Sequence, residues 1–254
     1  MAIITLTTDF GTTGYYVSLL KGHILSAFAN ATLVDISHNI SSHDIMEAAF
    51  FLKATYTRFP KETIHVVAVN TYFNAQSKLI VFRHEGYFFI GPNNGLFSLA
   101  LDNVSEDEIY EVADQDILDF YEVIENAVQG ISVNSPLKII GKPSHDFVRK
   151  LSLKPVVHAN QIRATIIYID HYGNVVINLS EKTFEQIRNG RNFEIYYKSK
   201  DPITRLSKRY NSVPIGDVCA FFNSINMLEI AIHMGNAHQL LSLNKNETIQ
   251  IDFF

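Results

Sequence analysis

Through the first half of the chain, apolar residues gather in short unbroken runs separated by amphipathic stretches. Ala2-Ile3-Ile4-Thr5-Leu6 reads as a buried strand, and after the polar run Thr7 to Gly11 come Val17, Leu20, Ile24 and Phe28 at helical spacing. Thr32 to Ile36 reads as a second strand. A second helix starts from about Ser42 as its cap, runs through Ile45, Ala48, Ala49 and Leu52, and stops before Pro60. Thr63 to Val69 is almost wholly apolar, and Gly86 turns the strand Leu79–Glu85 into the strand Tyr87–Ile90. Apolar strands alternating with amphipathic helices predict a mostly parallel sheet covered on both faces.

The pattern changes near residue 155. Gln161–Asp170, Val175–Asn178, Phe193–Tyr197, Val218–Phe222, Leu228–Ile232 and Thr248–Phe253 read as strands. One short helix interrupts them, Thr183 to Arg188, with a Thr183/Gln186 capping box. Many short strands with little helix predict a small β-barrel or sandwich. Gly141 to Pro155 reads as a linker. The expected organisation is an α/β N-terminal domain over 1–150 and a smaller all-β, barrel-like C-terminal domain over 156–254.

Composition narrows the function classes. With 254 residues, 47% of them hydrophobic and 19% charged, the chain has the mixture of an ordinary globular protein with a substantial core. A net charge of −5 with scattered Lys and Arg offers no basic stripe for nucleic acid. No apolar run approaches the ~18 residues of a membrane span, and the start lacks a basic-then-apolar signal pattern. Cys219, the only cysteine, excludes an internal disulfide framework and fits a reducing, cytoplasmic setting. The acidic residues from Glu106 to Glu125 show no metal-ligand spacing with histidine and read as solvated faces, so no metal site is expected.

The candidate chemistry lies at strand ends. Asp9 follows the first strand, where open α/β sheets bind small ligands. A carboxylate accepts hydrogen bonds and donates none, which suits a ribose diol or a cation better than a phosphate. Gly11 and Gly14 form no dinucleotide or Walker-type loop. The alternative is that Asp9 caps the next helix. Asn70 to Lys78 follows the third strand, and Tyr72 is either the wall of a cleft or a surface ring. Asn93 and Asn94 either satisfy their own loop or read a purine edge. In the second half, Asp170-His171-Tyr172-Gly173-Asn174 packs a carboxylate, an imidazole, a phenol and an amide into one turn, and Asn223-Ser224-Ile225-Asn226 forms a second polar interruption.

Taken together, these stretches resemble the S-adenosylmethionine hydroxide adenosyltransferases, relatives of fluorinating and chlorinating enzymes. The matching pieces are Thr8-Asp9-Phe10-Gly11 with Tyr16-Val17 and Lys21-Gly22, Val34-Asp35-Ile36-Ser37-His38, and Pro92 to Leu96. Ile169 to Asn174 with Asn178, Asn223-Ser224, Leu228 to Ala231 and Gly235 to Ala237 continue them in family order. The resemblance implies an α/β domain followed by a β-barrel, and a homotrimer binding S-adenosylmethionine between subunits without a further cofactor. It implies that Asp9 binds the ribose hydroxyls, with Tyr72 and His43 enclosing the sugar and Asn94 near the adenosine. Asp170, Asn174 and Ser224 hold the amino-acid end, and Tyr172 packs near the adenine.

The chemistry so implied is displacement at ribose C5′, with methionine leaving as a neutral thioether. In the hydrolytic family members water attacks, associated with an Asp, an Arg and a His. Here the family's Asp-Pro-Gly-Val-Gly loop is replaced by Asn70-Thr71-Tyr72-Phe73-Asn74, Ser77 stands at the Arg position, and the Phe-His-Gly-Arg-Asp segment is absent. Lys78, Glu122 and Tyr121 are the candidate substitutes. Three readings follow: a hydrolase with weakened or rewired catalysis, a binding protein that has lost turnover, and a halide-using transferase, because Thr71-Tyr72 resembles the Thr-Tyr of the halogenating relatives.

Overall fold

Ile4 and Leu6 of β1 (Ile3–Thr8) are wholly buried, and the N-terminal sheet is built outward from this strand. The computed structural model describes residues 2–72, 78–112, 119–198 and 201–254. The chain divides into two units, Met1–Leu151 and Ser152–Phe254.

In the first unit β1 is followed by α1 (Tyr16–Ala27), β2 (Thr32–Ser37), α2 (Ile45–Thr55), β3 (Ile64–Ala68), β4 (Leu79–His84), β5 (Tyr87–Pro92) and α3 (Leu96–Ala100). β6 (Ile109–Val112), α4 (Phe120–Ser132), α5 (Leu137–Ile140) and β7 (Gly141–Pro143) complete it. The seven strands lie in the order β2-β1-β3-β5-β4-β6-β7, with β2, β1, β3 and β5 parallel and with antiparallel pairs from β5 outward to β7. This is the mostly parallel sheet that the apolar runs imply. Separate apolar clusters pack α1 with α4 and α2 with α3 against the strands. From β1 the chain goes to β2 on one side and returns to β3 on the other, which puts a topological switch at the carboxyl ends of β1 and β3.

Two local expectations are corrected. α2 is capped by Asp44, whose carboxylate accepts from the N–H groups of Met46 and Glu47 at 3.0 and 2.9 Å, and not by Ser42. Gly141 to Pro155 is not simply a linker. Gly141–Pro143 joins the sheet beside β6, Phe147 is buried, and the Asn93 side chain bonds the backbone of Asp146 and Val148.

The second unit contains β8 (Val156–His158), β9 (Gln161–Ile169), β10 (Val175–Ser180), α6 (Glu181–Arg188) and β11 (Phe193–Tyr196). β12 (Val218–Phe222), β13 (Met227–Ile232), α7 (Ala237–Leu240) and β14 (Thr248–Phe253) follow. All its pairings are antiparallel, in the order β11-β14-β9-β10-β13-β12 with β8 beside β9. β11 and β12 end the strand path and do not pair among the described residues, and the antiparallel sheet curls into the expected barrel-like form. Its concave face holds one apolar cluster around Phe184, whose helix α6 is capped by Ser180 rather than by a Thr183 box.

Two buried positions make this fold testable. Gly91 on β5 lies where a Cβ would stand 2.5 Å from the Val67 carbonyl and 3.0 Å from the Phe97 ring. Gly91→Ala is expected to lower the unfolding free energy by ~1–3 kcal/mol in urea denaturation, the usual cost of overpacking. His65 on β3 is 1% exposed, pairs with the Thr5 hydroxyl at 2.7 Å and stacks on Phe89. Burial pushes its pKa down from 6.5 to about 4. The unfolded chain therefore takes up a proton below pH 6.5 that the folded one refuses, and stability falls as pH drops from 6.5 toward 4. The expected loss is up to roughly 3 kcal/mol, and urea denaturation across that range should give a shallower slope for His65→Phe.

Candidate functional site

The crevice at the ends of β1 and β3 is organised by Asp9. Its Oδ2 accepts the backbone N–H of His43 at 2.9 Å and that of Asn70 at 3.2 Å, while its own N–H donates to the Ala68 carbonyl at 3.4 Å. α1 begins at Tyr16 with no side-chain cap, so the helix-capping reading of Asp9 falls. The turn beyond it is fixed by Gly11, at φ +71°, whose N–H reaches the His38 carbonyl at 2.7 Å. Buried His38 bonds the Thr8 hydroxyl at 2.9 Å through Nδ1 and faces Asp35 at 3.1 Å through Nε2. Burial opposes ionisation of Asp35, but hydrogen bonds from Lys21 and His38 hold its carboxyl below the usual range. The Asp9 turn thus rests on a chain of polar contacts, Thr8 to His38 to Asp35 to Lys21.

The other predicted residues of this unit fall into two groups. His43, with φ +64°, contributes its backbone N–H to Asp9, while its exposed ring lies 3.9 Å from the same carboxylate. Asn70 sits at φ +50°, a left-handed conformation that asparagine tolerates. The buried Asn94 amide is used by its surroundings: Nδ2 donates to the carbonyls of Val69 and Asn70 at 3.0 and 3.3 Å, and Oδ1 accepts from Leu96 N–H at 3.1 Å. It holds the loop after β3 in place, as the loop-satisfying reading has it. Tyr72 is 75% exposed with its ring 6.4 Å from Phe120, which is also 6.3 Å from Phe10. An aromatic patch of Phe10, Tyr16, Tyr72 and Phe120 therefore accompanies Asp9. Ser77 lies outside the described residues, as do Phe73 and Asn74 of the same loop.

The three candidate substitutes are each constrained by their surroundings. Lys78 is bonded to Glu111 at 2.8 Å, which raises its pKa and keeps it protonated. Glu122 is bound into the capping box of α4, accepting the Asp119 N–H at 3.1 Å. Burial, then the neighbouring Tyr16 and Tyr72 phenols, raise the Tyr121 phenol above its ordinary value. Among the described residues no cluster of His, Cys, Asp and Glu could hold a metal ion. Nor is any helix among them long and apolar enough to cross a membrane.

In the second unit the two polar turns meet at one cavity of about 1030 Å³, lined by Tyr172, Asn174, Asn223, Ser224 and Asn236 among others. Asp170 builds the first turn: its Oδ1 accepts the N–H groups of Tyr172 and Asn174 at 2.9 and 2.8 Å, and its Oδ2 accepts the Asn174 amide at 3.0 Å. Gly173 is required there, at φ +82° with Asn236 Oδ1 2.2 Å from where a Cβ would lie. Asn223 builds the second turn, accepting from the N–H groups of Ile225 and Met227 and donating to Glu229 at 3.0 Å. Burial pushes the carboxyl of Glu229 up, and the negative charge of Asp170 adds to this against the Asn223 hydrogen bond. The structure thus brings Tyr172, Asn174 and Ser224 to one cavity, with Asp170 directly behind Asn174. Lys208, Arg209 and Tyr210 line it too. They lie in a segment with neither strand alternation nor helical spacing, so no sequence signal pointed to them.

Comparison with known proteins gives this geometry a family context. The family model described as the SAM hydroxide adenosyltransferase N-terminal domain matches residues 4–136, and that of the C-terminal domain matches residues 164–250. The (R)-S-adenosyl-L-methionine hydrolase of Methanocaldococcus jannaschii is 28% identical over 265 aligned positions, covering 98% of this chain and 95% of the relative. A fluorinase of Actinopolyspora mzabensis is 24% identical over 98% of this chain and 96% of its own length. Among solved structures, an uncharacterized conserved protein from Thermotoga maritima superposes with a TM-score of 0.84 at 22% identity, covering 98% of this chain and 99% of that one. A conserved hypothetical protein from Thermus thermophilus superposes with a TM-score of 0.77 at 20% identity over the whole of both chains. These two share the fold. With both of its units matched by the family models, the chain belongs to the S-adenosylmethionine hydroxide adenosyltransferase family.

Proposed function

We propose that this chain hydrolyses S-adenosylmethionine to adenosine and methionine by attack of water on ribose C5′. The observation that carries this reading is the Asp9 carboxylate, held at the switch crevice by two backbone donors. A carboxylate so fixed suits the two ribose hydroxyls, which are donors. The N-terminal domain, 1–150, holds the sugar through Asp9, with Tyr72 and His43 beside it and Asn94 bracing the loop. The C-terminal domain, 156–254, takes the amino-acid end through Asp170, Asn174 and Ser224 and offers Tyr172 to the adenine. The reading includes a cytoplasmic homotrimer that needs no metal or further cofactor.

The sulfonium leaves as an uncharged thioether, so the leaving group needs no proton. The work of the site is alignment of nucleophile, carbon and sulfur, and exclusion of competing water. At the end of β3 the carboxylate of the family's hydrolytic loop is replaced by the amide of Asn70. The Asn70 amide can orient a water molecule but cannot take its proton, and loss of a general base costs about 10²- to 10⁴-fold in rate. Turnover is therefore slow, with Asn70 and Ser77 at the degenerate catalytic positions. Several relatives are named for the (R) sulfonium epimer, and the proposal extends that preference to this chain.

Purified protein incubated with each sulfonium epimer should release adenosine and methionine in equal amounts, faster from the (R) form. Asn70→Asp should raise kcat by about 10²- to 10⁴-fold, because it restores a carboxylate at the end of β3. Asp9→Ala should remove adenosine binding measured by calorimetry. Ligand binding without any adenosine release, even in Asn70→Asp, would make the chain a binding protein. Appearance of 5′-chloro- or 5′-fluoro-5′-deoxyadenosine at high halide would move it to the halogenating branch.

A further inference from the structure

Two stretches that carry the family resemblance, Val34 to His38 and Lys21-Gly22, have no part in the hydrolytic reading, yet they are joined to each other and to the Asp9 turn. The His38 ring is 7% exposed and has a polar neighbour at each nitrogen. Thr8 Oγ1 lies 2.9 Å from Nδ1, and Asp35 Oδ1 lies 3.1 Å from Nε2. Lys21 Nζ closes the other oxygen of Asp35 at 2.6 Å. An ionised carboxylate accepts and never donates, so the Nε2 that faces it carries a hydrogen. A buried ring held from both sides keeps one orientation.

His38 also grips the turn through its backbone. Its carbonyl accepts the Gly11 N–H at 2.7 Å, and two residues further on the Ile40 N–H donates to the Thr8 carbonyl at 3.3 Å. Thr8 Oγ1, the atom that meets the ring, also accepts the Phe10 N–H at 3.4 Å. Residues on both sides of Asp9 are thereby tied to the segment 38–43, which itself sends the His43 N–H to Asp9 Oδ2 at 2.9 Å. Thr8 is wholly buried, so removing the imidazole would leave its hydroxyl short of one partner in a place water does not reach. Movement of the turn relieves that cost. A carboxylate displaced by such a movement no longer meets two neighbouring hydroxyls at once.

We propose that His38 is a positioning residue for ribose recognition: set between the Thr8 hydroxyl and the Asp35 carboxylate, it fixes the direction of the Asp9 carboxylate, so that the site selects ribosyl over 2′-deoxyribosyl sulfoniums. Asp35 and Lys21 hold the far side of the ring and act through it. This inference rests on the adenosyl reading above and adds to it the residue that sets its sugar specificity.

Isothermal calorimetry on the full chain with S-adenosylmethionine and its 2′-deoxyribose analogue tests it, because the ratio of the two affinities is insensitive to a general loss of folded protein. The natural chain should bind the ribose form roughly tenfold more tightly, the scale of one hydrogen bond to a charged group. In His38→Leu, which fills the space without polar atoms, that ratio should fall toward one. Thr8→Val should do the same, whereas Thr8→Ser, which keeps the hydroxyl, should retain the preference, and this pair carries the test if His38→Leu does not fold. Equal affinity of the natural chain for both ligands, an unchanged ratio in Thr8→Val, or a ratio lost equally in Thr8→Ser overturns this inference and leaves the adenosyl reading intact. If the natural chain binds neither sulfonium nor adenosine, the adenosyl reading itself falls and takes this inference with it.

Discussion

One carboxylate oxygen ties together three distant pieces of the N-terminal unit. Asp9 Oδ2 receives N–H groups from residues 34 and 61 positions further along the chain, the first at the entry to α2 and the second just past β3. Its side chain is only 10% accessible, so the charge is largely withdrawn from bulk water and needs those donors to remain favourable. Because β1 and β3 are adjacent and parallel, both donors arrive at the same end of the sheet. Oδ1 has no hydrogen-bond donor among the described residues, which is the arrangement a ligand hydroxyl requires. The crevice is thus a consequence of topology, and its polarity a consequence of one side chain.

Much of this was legible in the sequence where one periodicity had no competitor. The apolar runs at Ile3–Leu6 and Thr63–Val69 can be satisfied only by burial on both faces, and they became the central strands β1 and β3. Val218–Phe222 and Thr248–Phe253 coincide with β12 and β14. Where two local solutions were equally good, sequence reasoning chose between them without grounds. Ser42 and Asp44 are both cap formers, and Asp44 prevailed because its carboxylate serves two N–H groups at once. Gly141 to Pro155 has the composition of a linker, yet the Asn93 side chain, some fifty positions earlier, captures Asp146 and Val148. Such long-range satisfaction leaves no local trace.

The same distinction runs through the candidate residues. Asp9, Asp170 and Asn174 stood out as polar groups at the ends of apolar strands, and each was found organising a turn. Asn94 also stood out, but its amide is consumed by the backbone around it. Lys208 and Arg209 were invisible because only the curl of the second sheet brings their segment to the cavity. The all-β, barrel-like form of the second unit was legible from its alternation, whereas its strand order, in which β11 and β12 do not pair among the described residues, was not.

Gly173 and Asn236 interlock so tightly that no side-chain atom fits between them, and the His238 N–H fastens to the Gly173 carbonyl at 2.9 Å. Two rims of the cavity are in effect one rigid body. Adaptation to ligands of different length then falls to side chains that stand clear of this clasp, chiefly the phenol of Tyr172 and the thioether of Met234, 74% and 82% exposed. Whatever occupies this cavity meets one fixed rim and a few movable side chains.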